Sequence, residues 1–351
     1  MTAPATPIDA KPAEPEEPAA ARVERSVPRA GWMVIARKEF ADHILSARFF
    51  VLLILLGIVA IVPLYLTADF IRSSAAGVSG GQAVFIALFW YTPQVPLLAN
   101  DATLPSVAGF LGLVAPLLGL SFGFDAVNGE RSQGTLPRLL SQPIHRDDVI
   151  NGKFAAGLSV IGLVIVAIVG LIAAFGIIRL GITPTAAELL RILLWVAVTI
   201  VYVAMWLAFG MLLSILVRRA ATSALIGFGV WFVVTFFGSL ITGLVGGFIA
   251  PISGSDSEVL SNNALQETLN RIRPDILYSE ASRALLSPQV TTVSTPATIG
   301  SYEQAAQRIP SLLSLDQSFI LVWPQVVAIV ALMVLFFAVA YVQFMRQEVR
   351  A

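Results

Sequence analysis

At 351 residues the chain has the length of two or three soluble domains, but its composition excludes them. It is 57% hydrophobic and 13% charged, where globular domains run at roughly 45–50% apolar and about 25% charged. A formal net charge of zero gives nucleic acid no field to follow, and a chain with no Cys and two His offers neither disulfides nor a thiolate metal site.

Met1–Arg25 is rich in Ala, Pro and Glu and lacks apolar periodicity, so a disordered tail is expected, extending to residue 27. It has no basic start ahead of an apolar core, and so does not read as a secretory signal. Residues 28–48 read as an amphipathic helix. Met33, Ala36, Phe40 and Ile44 recur at spacings of three and four, with Lys38, Asp42 and Ser46 on the opposite face. Trp32 and Arg37 suit the headgroup level of a bilayer, which makes this an interfacial helix leading into the first span.

Six apolar runs follow between residues 49 and 346: Phe49–Leu66, Leu104–Phe124, Phe154–Ile178, Ile192–Val217, Ala220–Ala250 and Phe319–Phe344. At about 1.5 Å per residue each can cross a hydrocarbon core of about 30 Å. The expected fold is therefore an all-α polytopic membrane protein with six transmembrane helices behind one amphipathic helix. Gly238, Gly243, Gly246 and Gly247 suggest that the fifth span breaks or re-enters in its last turns. Gly109, Gly112, Gly119, Gly227 and Gly229 permit close helix approach in the second and fifth spans. Ala83–Tyr91 is apolar but short, lies between Gly80-Gly81 and Pro93, and reads as a re-entrant segment.

With six crossings, both termini, the polar stretch Asn128–Lys153 and Arg218-Arg219 share one side. That side holds most of the 22 Lys and Arg residues, which makes it cytoplasmic. Residues 251–318 then form a long extracytoplasmic insert between the fifth and sixth spans. Leu260–Ile272 and Ile276–Leu286 have helical periodicity, and Ser287–Ser301 reads as a loop.

The spans as drawn hold no Asp, Glu, Lys, Arg or His, which disfavours an ion-coupled carrier and an intramembrane protease. Asp69, Arg72, Asp125, Arg179 and Arg191 fall at span ends, where water is within reach. Asn151-Gly152-Lys153-Phe154 is the nearest approach to a phosphate loop. Asp147 stands where the first Gly should be and Phe154 where a metal-binding Ser or Thr should be. The chain is expected to bind no cofactor itself, and any ATP hydrolysis falls to another subunit.

Asn128–Lys153 is longer than a connector between two membrane helices needs to be. Short helices broken at Gly134 and Pro143 are expected, with Asn128 or Asp125 capping the first and Thr135 the second. Leu136, Leu139 and Leu140 cluster on one face among Arg131, Arg138 and Arg146, and Lys153 can snorkel to the headgroups. Charge alone suits a solvated linker, but exposed leucines call for a partner.

Glu130-Arg131, Gly134-Thr135-Leu136, Leu139-Leu140, Pro143, Arg146 and Gly152-Lys153 resemble the cytoplasmic loop of membrane subunits of ATP-binding-cassette (ABC) transporters of the type-2 exporter class. Arg37-Lys38-Glu39-Phe40 resembles that class's elbow helix, and Pro274–Pro288 its outer segment before the last span. The layout is most similar to permeases for multicopper-enzyme maturation or for sodium and drug efflux. The resemblance implies a coupling loop that docks on a separate cytoplasmic ATPase subunit, which carries the ATP and Mg. It implies Glu130, Arg131, Gly134, Thr135, Leu139, Pro143 and Arg146 at that interface. Glu130 and Arg131 would pair with ATPase charges, Gly134 and Pro143 would set bends, and Leu139 would be the apolar anchor; Arg37, Glu39 and Phe40 belong to the elbow. It further implies a second permease protomer, identical or paralogous, in the plasma membrane. The alternative is a non-transport scaffold or sensor that binds a partner through the insert.

Overall fold

In lipid, a backbone must satisfy its own hydrogen bonds, and apolar runs of this length do so as helices. A computed structural model describes residues 31–74, 84–93, 104–135, 145–251, 256–287 and 314–347, and every regular element among them is helical. In chain order these are α1 (Gly31–Ile44), α2 (Ala47–Ser74), α3 (Val84–Trp90), α4 (Val107–Gly123), α5 (Asn128–Ser132) and α6 (Arg146–Leu180). Next come α7 (Ala186–Leu216) and α8 (Ala220–Phe232), which runs through a π-helical turn (Val233–Phe237) into α9 (Gly238–Ile249). The insert supplies α10 (Asp256–Asn270) and α11 (Pro274–Leu286), and α12 (Leu315–Arg346) closes the bundle. Six stretches are long and apolar enough to cross a membrane: α2, α4 with α5, α6, α7, α8 through α9, and α12. The chain is thus an all-α, multi-pass membrane protein. The expected tail and most of the Ser287–Ser301 loop lie outside the described residues.

α7 is the axis of the bundle, and α4, α6, α11 and α12 pack around it. Its inward residues include Trp195, Tyr202 and Trp206, large rings with polar tips, and Thr199. Two of these residues find partners within the bundle: the Tyr202 hydroxyl donates to the Gly112 carbonyl at 3.2 Å, and the Thr199 hydroxyl to the Trp195 carbonyl at 2.8 Å. α4 crosses α7 backbone to backbone. A Cβ added at Gly119 would sit 2.4 Å from the Val203 carbonyl oxygen, and one at Gly123 2.7 Å from that of Leu207. Gly112 lies under the Tyr278 ring, so Gly112 and Gly119 serve contacts within this chain, while a Cβ at Gly229 would meet nothing within 4 Å.

Two expectations are corrected at the end of the bundle that carries the insert, and one insert helix proves to be buried. The fifth span does not break at its glycines. It continues to Ile249 because Gly238 and Gly246 give room to the side chains of Arg273 and Gln266, which reach across from the insert. Arg191 does not reach water. It is buried, donating to the Leu285 carbonyl at 3.1 Å and the Ser318 hydroxyl at 2.9 Å. And α11 is core: Leu277, Tyr278, Ala281 and Leu285 are buried. Tyr278 stacks on Tyr202 with centroids 4.4 Å apart, and Trp195 Nε1 donates to the Ser282 hydroxyl at 3.0 Å. The short helix α3 rises about 10 Å, too little to cross; it is fixed by the Glu188 carboxylate, which accepts from the Phe85 N–H at 3.0 Å.

Candidate functional site

At the opposite end of the bundle, three helices meet around one ammonium group. Lys153 on α6 is buried to 4% side-chain exposure, with Nζ 2.7 Å from a Glu130 carboxylate oxygen on α5 and 3.1 Å from Glu39 on α1. Lys38 extends the chain of charge, 3.0 Å from Glu39 and 3.0 Å from Asp42. The second Glu130 oxygen is buried and has no hydrogen-bond partner among the described residues.

Local sequence explains the meeting. α6 begins at Arg146, about two turns before the expected start at Phe154. Asp148 forms a capping box with His145 at its first turn, and its other oxygen accepts from the Trp32 N–H at 3.0 Å. Gly152 lets α1 come close, since a Cβ there would lie 2.7 Å from that of Ile35. Lys153 is therefore enclosed by packed helices and does not snorkel to headgroups. α1 also differs from its expected stripe. Ile35 is its buried residue, Phe40 and Ile44 pack against the core, Glu39 is partly buried, and Arg37 and Met33 are exposed.

The electrostatics follow from enclosure. Burial alone would push the Glu39 carboxyl up, but Lys153 and Lys38 beside it outweigh burial and hold it below the usual carboxylate range. Burial pushes His43 down, against the pull of Glu39 and Asp125, and its ring meets Phe122 edge-on at 4.9 Å. A carboxylate depressed in the folded chain stabilises it above the unfolded value and loses that stabilisation as pH falls through the folded value. Acidification below the ordinary carboxylate range should therefore loosen α1 from α6. Amide hydrogen exchange in Gly31–Ile44 should rise there before it rises in α7.

The stretch after α4 folds partly as expected. α5 ends in a Schellman motif at Gly134, whose φ of +69° is left-handed; the Gly134 N–H donates to the Arg131 carbonyl at 3.2 Å and the Thr135 N–H to that of Glu130 at 3.0 Å. The capping assignments for α5 are corrected, whereas the helix expected to start at Thr135 lies outside the described residues. Asp125 does not cap α5, because it pairs with Arg48 at 2.6 Å. Asn128 does not either: its N–H donates to the Ser214 hydroxyl at 3.1 Å, and its side-chain amide to the Val217 carbonyl at 3.3 Å. The Thr135 hydroxyl donates backwards to the Glu130 carbonyl at 3.2 Å. Arg131 and Arg146 both donate to Gln347 at the end of α12. Of the residues implied by resemblance, Glu130, Arg131 and Arg146 are thus gathered with Glu39 into one internally bonded mount, while Gly134 and Thr135 are exposed. Leu136, Arg138, Leu139, Leu140 and Pro143 lie outside the described residues. Lys153, Ser214 and Gln347 are site residues that sequence reasoning missed; a Lys directly before an apolar run is the signal for the first. A cavity of about 430 Å³ opens beside the mount, between α1, the start of α2 and α5.

A six-span helical bundle with a charged, cross-braced cluster at one end defines a multi-pass membrane protein. The chain belongs to the ABC-2 family of transporter proteins, whose family model matches residues 33–349. It is similar to the probable ABC transporter permease protein NosY of Stutzerimonas stutzeri, at 26% identity over 204 residues. That match covers 56% of this chain and 64% of the relative's length.

Proposed function

We propose that this chain is the permease subunit of an ATP-driven exporter, working as a pair of protomers with a separate cytoplasmic ATPase that docks on the loop around residues 128–146. The observation that carries this reading is the Glu39–Lys153–Glu130 bridge. It joins the loop's first turn to α1 and to the third span, so a push on the loop is not absorbed by a flexible connector. Mixed charge around a small apolar patch suits a docking surface. The leucines of residues 136–140 supply the anchor. Both termini and the loop then face the cytoplasm, with ATP and Mg on the partner. The scaffold alternative is less well served, because α11, the insert's more apolar helix, is buried among the spans.

The test is co-purification of the full chain with an ABC ATPase subunit co-expressed from the same source. Replacing Leu136, Leu139 and Leu140 together by Ser should abolish the complex while leaving the bundle's thermal stability unchanged. An unchanged yield of complex would sink the docking assignment. The chain has no Cys, so a single Cys at Ser141 reports sidedness, and labelling from outside the cell would overturn the topology.

A further inference from the structure

Both stems of the loop converge on the residue that follows the sixth span. Arg131 donates through Nη2 to the side-chain oxygen of Gln347, and Arg146 donates through Nη1 to the Gln347 backbone carbonyl at 3.0 Å. The Gln347 side-chain amide in turn donates to the Ile215 carbonyl near the end of α7, at 2.9 Å. Gln347 can do this because it has just left α12: its backbone is extended (φ −71°, ψ 124°), which frees its carbonyl, while its N–H still caps the helix on Phe344 at 3.3 Å. A neutral amide both accepts and donates. A carboxylate could hold the arginine but not the carbonyl, and an ammonium the reverse.

The two arginines flank the loop on its way out and on its way back, so the residue that follows α12 grips both stems. Asn128 adds a separate tie from the outgoing stem to Ser214 and Val217 at the end of α7. We propose that Gln347 is a positioning residue that fastens the loop to the sixth span, so that displacement of the loop is carried into α12 and, through Ile215, into α7. The proposal rests on the coupling role above. It reassigns Arg131 and Arg146 from docking on the ATPase to fastening the loop within the chain.

A pair of spin labels on Cys introduced at Gln133 and Arg346 measures the fastening in the full chain in nanodiscs, without the ATPase. The unsubstituted pair and the Gln347→Glu variant, which still accepts from Arg131, should give one narrow distance distribution. Gln347→Leu fills similar space without hydrogen bonds and should lose the narrow peak. Arg131→Leu should lose it as well, and the double variant should be no broader than either single one. Retention of the narrow peak in Gln347→Leu, its loss in Gln347→Glu, or additive broadening in the double variant would each overturn the proposal. In the complex, Gln347→Leu should keep the ATPase bound but lose the change in ATP hydrolysis rate that the unsubstituted chain imposes on the ATPase; an unchanged effect would also overturn it. Failure of the unsubstituted chain to bind the ATPase would instead remove the coupling reading, and the distance measurement would judge the fastening by itself.

Discussion

Replacing Lys153 by Met should be among the most damaging single changes in the chain. Met preserves most of the side-chain volume but removes the cation that Glu39 and Glu130 share, and both carboxylates are mostly enclosed, at 12% and 19% side-chain exposure. Breaking a buried ion pair from one side costs about 3–5 kcal/mol, because the remaining charge is left without compensation. Lys38 still neutralises part of Glu39, so the lower end of that range is expected. The loss should appear as a lowered midpoint of thermal unfolding in detergent. Glu130→Gln in the same background should recover part of it, since it removes one of the two stranded charges. If the double variant is no more stable than Lys153→Met alone, the bridge is not the source of the loss.

A second large effect is expected at Gly119. A Leu there must place its Cβ where the Val203 carbonyl oxygen and the Leu207 nitrogen already stand, 2.4 and 2.8 Å away. These are backbone atoms of the central helix, and no side chain can swing aside to make room. Overpacking typically costs about 1–3 kcal/mol and occasionally more; against a rigid helix backbone the upper figure applies, with α4 forced away from α7. Gly229→Ala is the control. A methyl group there meets nothing within 4 Å, and the better helix propensity of Ala is worth about 0.8–1.0 kcal/mol, so that variant should be as stable as the parent or more so. Unfolding midpoints of the two variants in one detergent make the comparison. Equal midpoints would show that the crossing is more yielding than its atomic contacts require.

How much of this was legible in the sequence depends on the scale of the question. Six crossings, the helix ahead of them and the two insert helices follow from apolar runs and three-to-four spacing, signals that are local and additive. Span ends were less legible. Arg146–Gly152 and Glu188–Arg191 are helical although polar, because their side chains find partners on other helices, which periodicity cannot register. The Gly residues of the fifth span read as breaks, since glycine is permissive in either direction; only the Arg273 and Gln266 side chains, arriving from a segment later in the chain, decide that they mark close approach. At the candidate site, composition singled out the polar stretch but misjudged its charges. Arg131, Arg146 and Lys153 looked like groups facing outward, and what turns them inward is Gln347, Glu39 and Glu130, residues with no local relation to them apart from Glu130.

The burial of α11 bears on how the molecule is made. This helix lies against both α7 and α12, with Arg191 reaching its last turn and Gln325 of α12 donating to its Glu280 at 3.0 Å. In the topology proposed above, part of the seat for the last span is therefore built from a segment that must first be carried to the far face of the bilayer. During synthesis α12 can enter the membrane early, but it cannot settle until α11 has arrived, folded and wedged itself against α7. The insert sets the order of assembly, and a chain stalled before its translocation would hold five finished spans and one still waiting for its place.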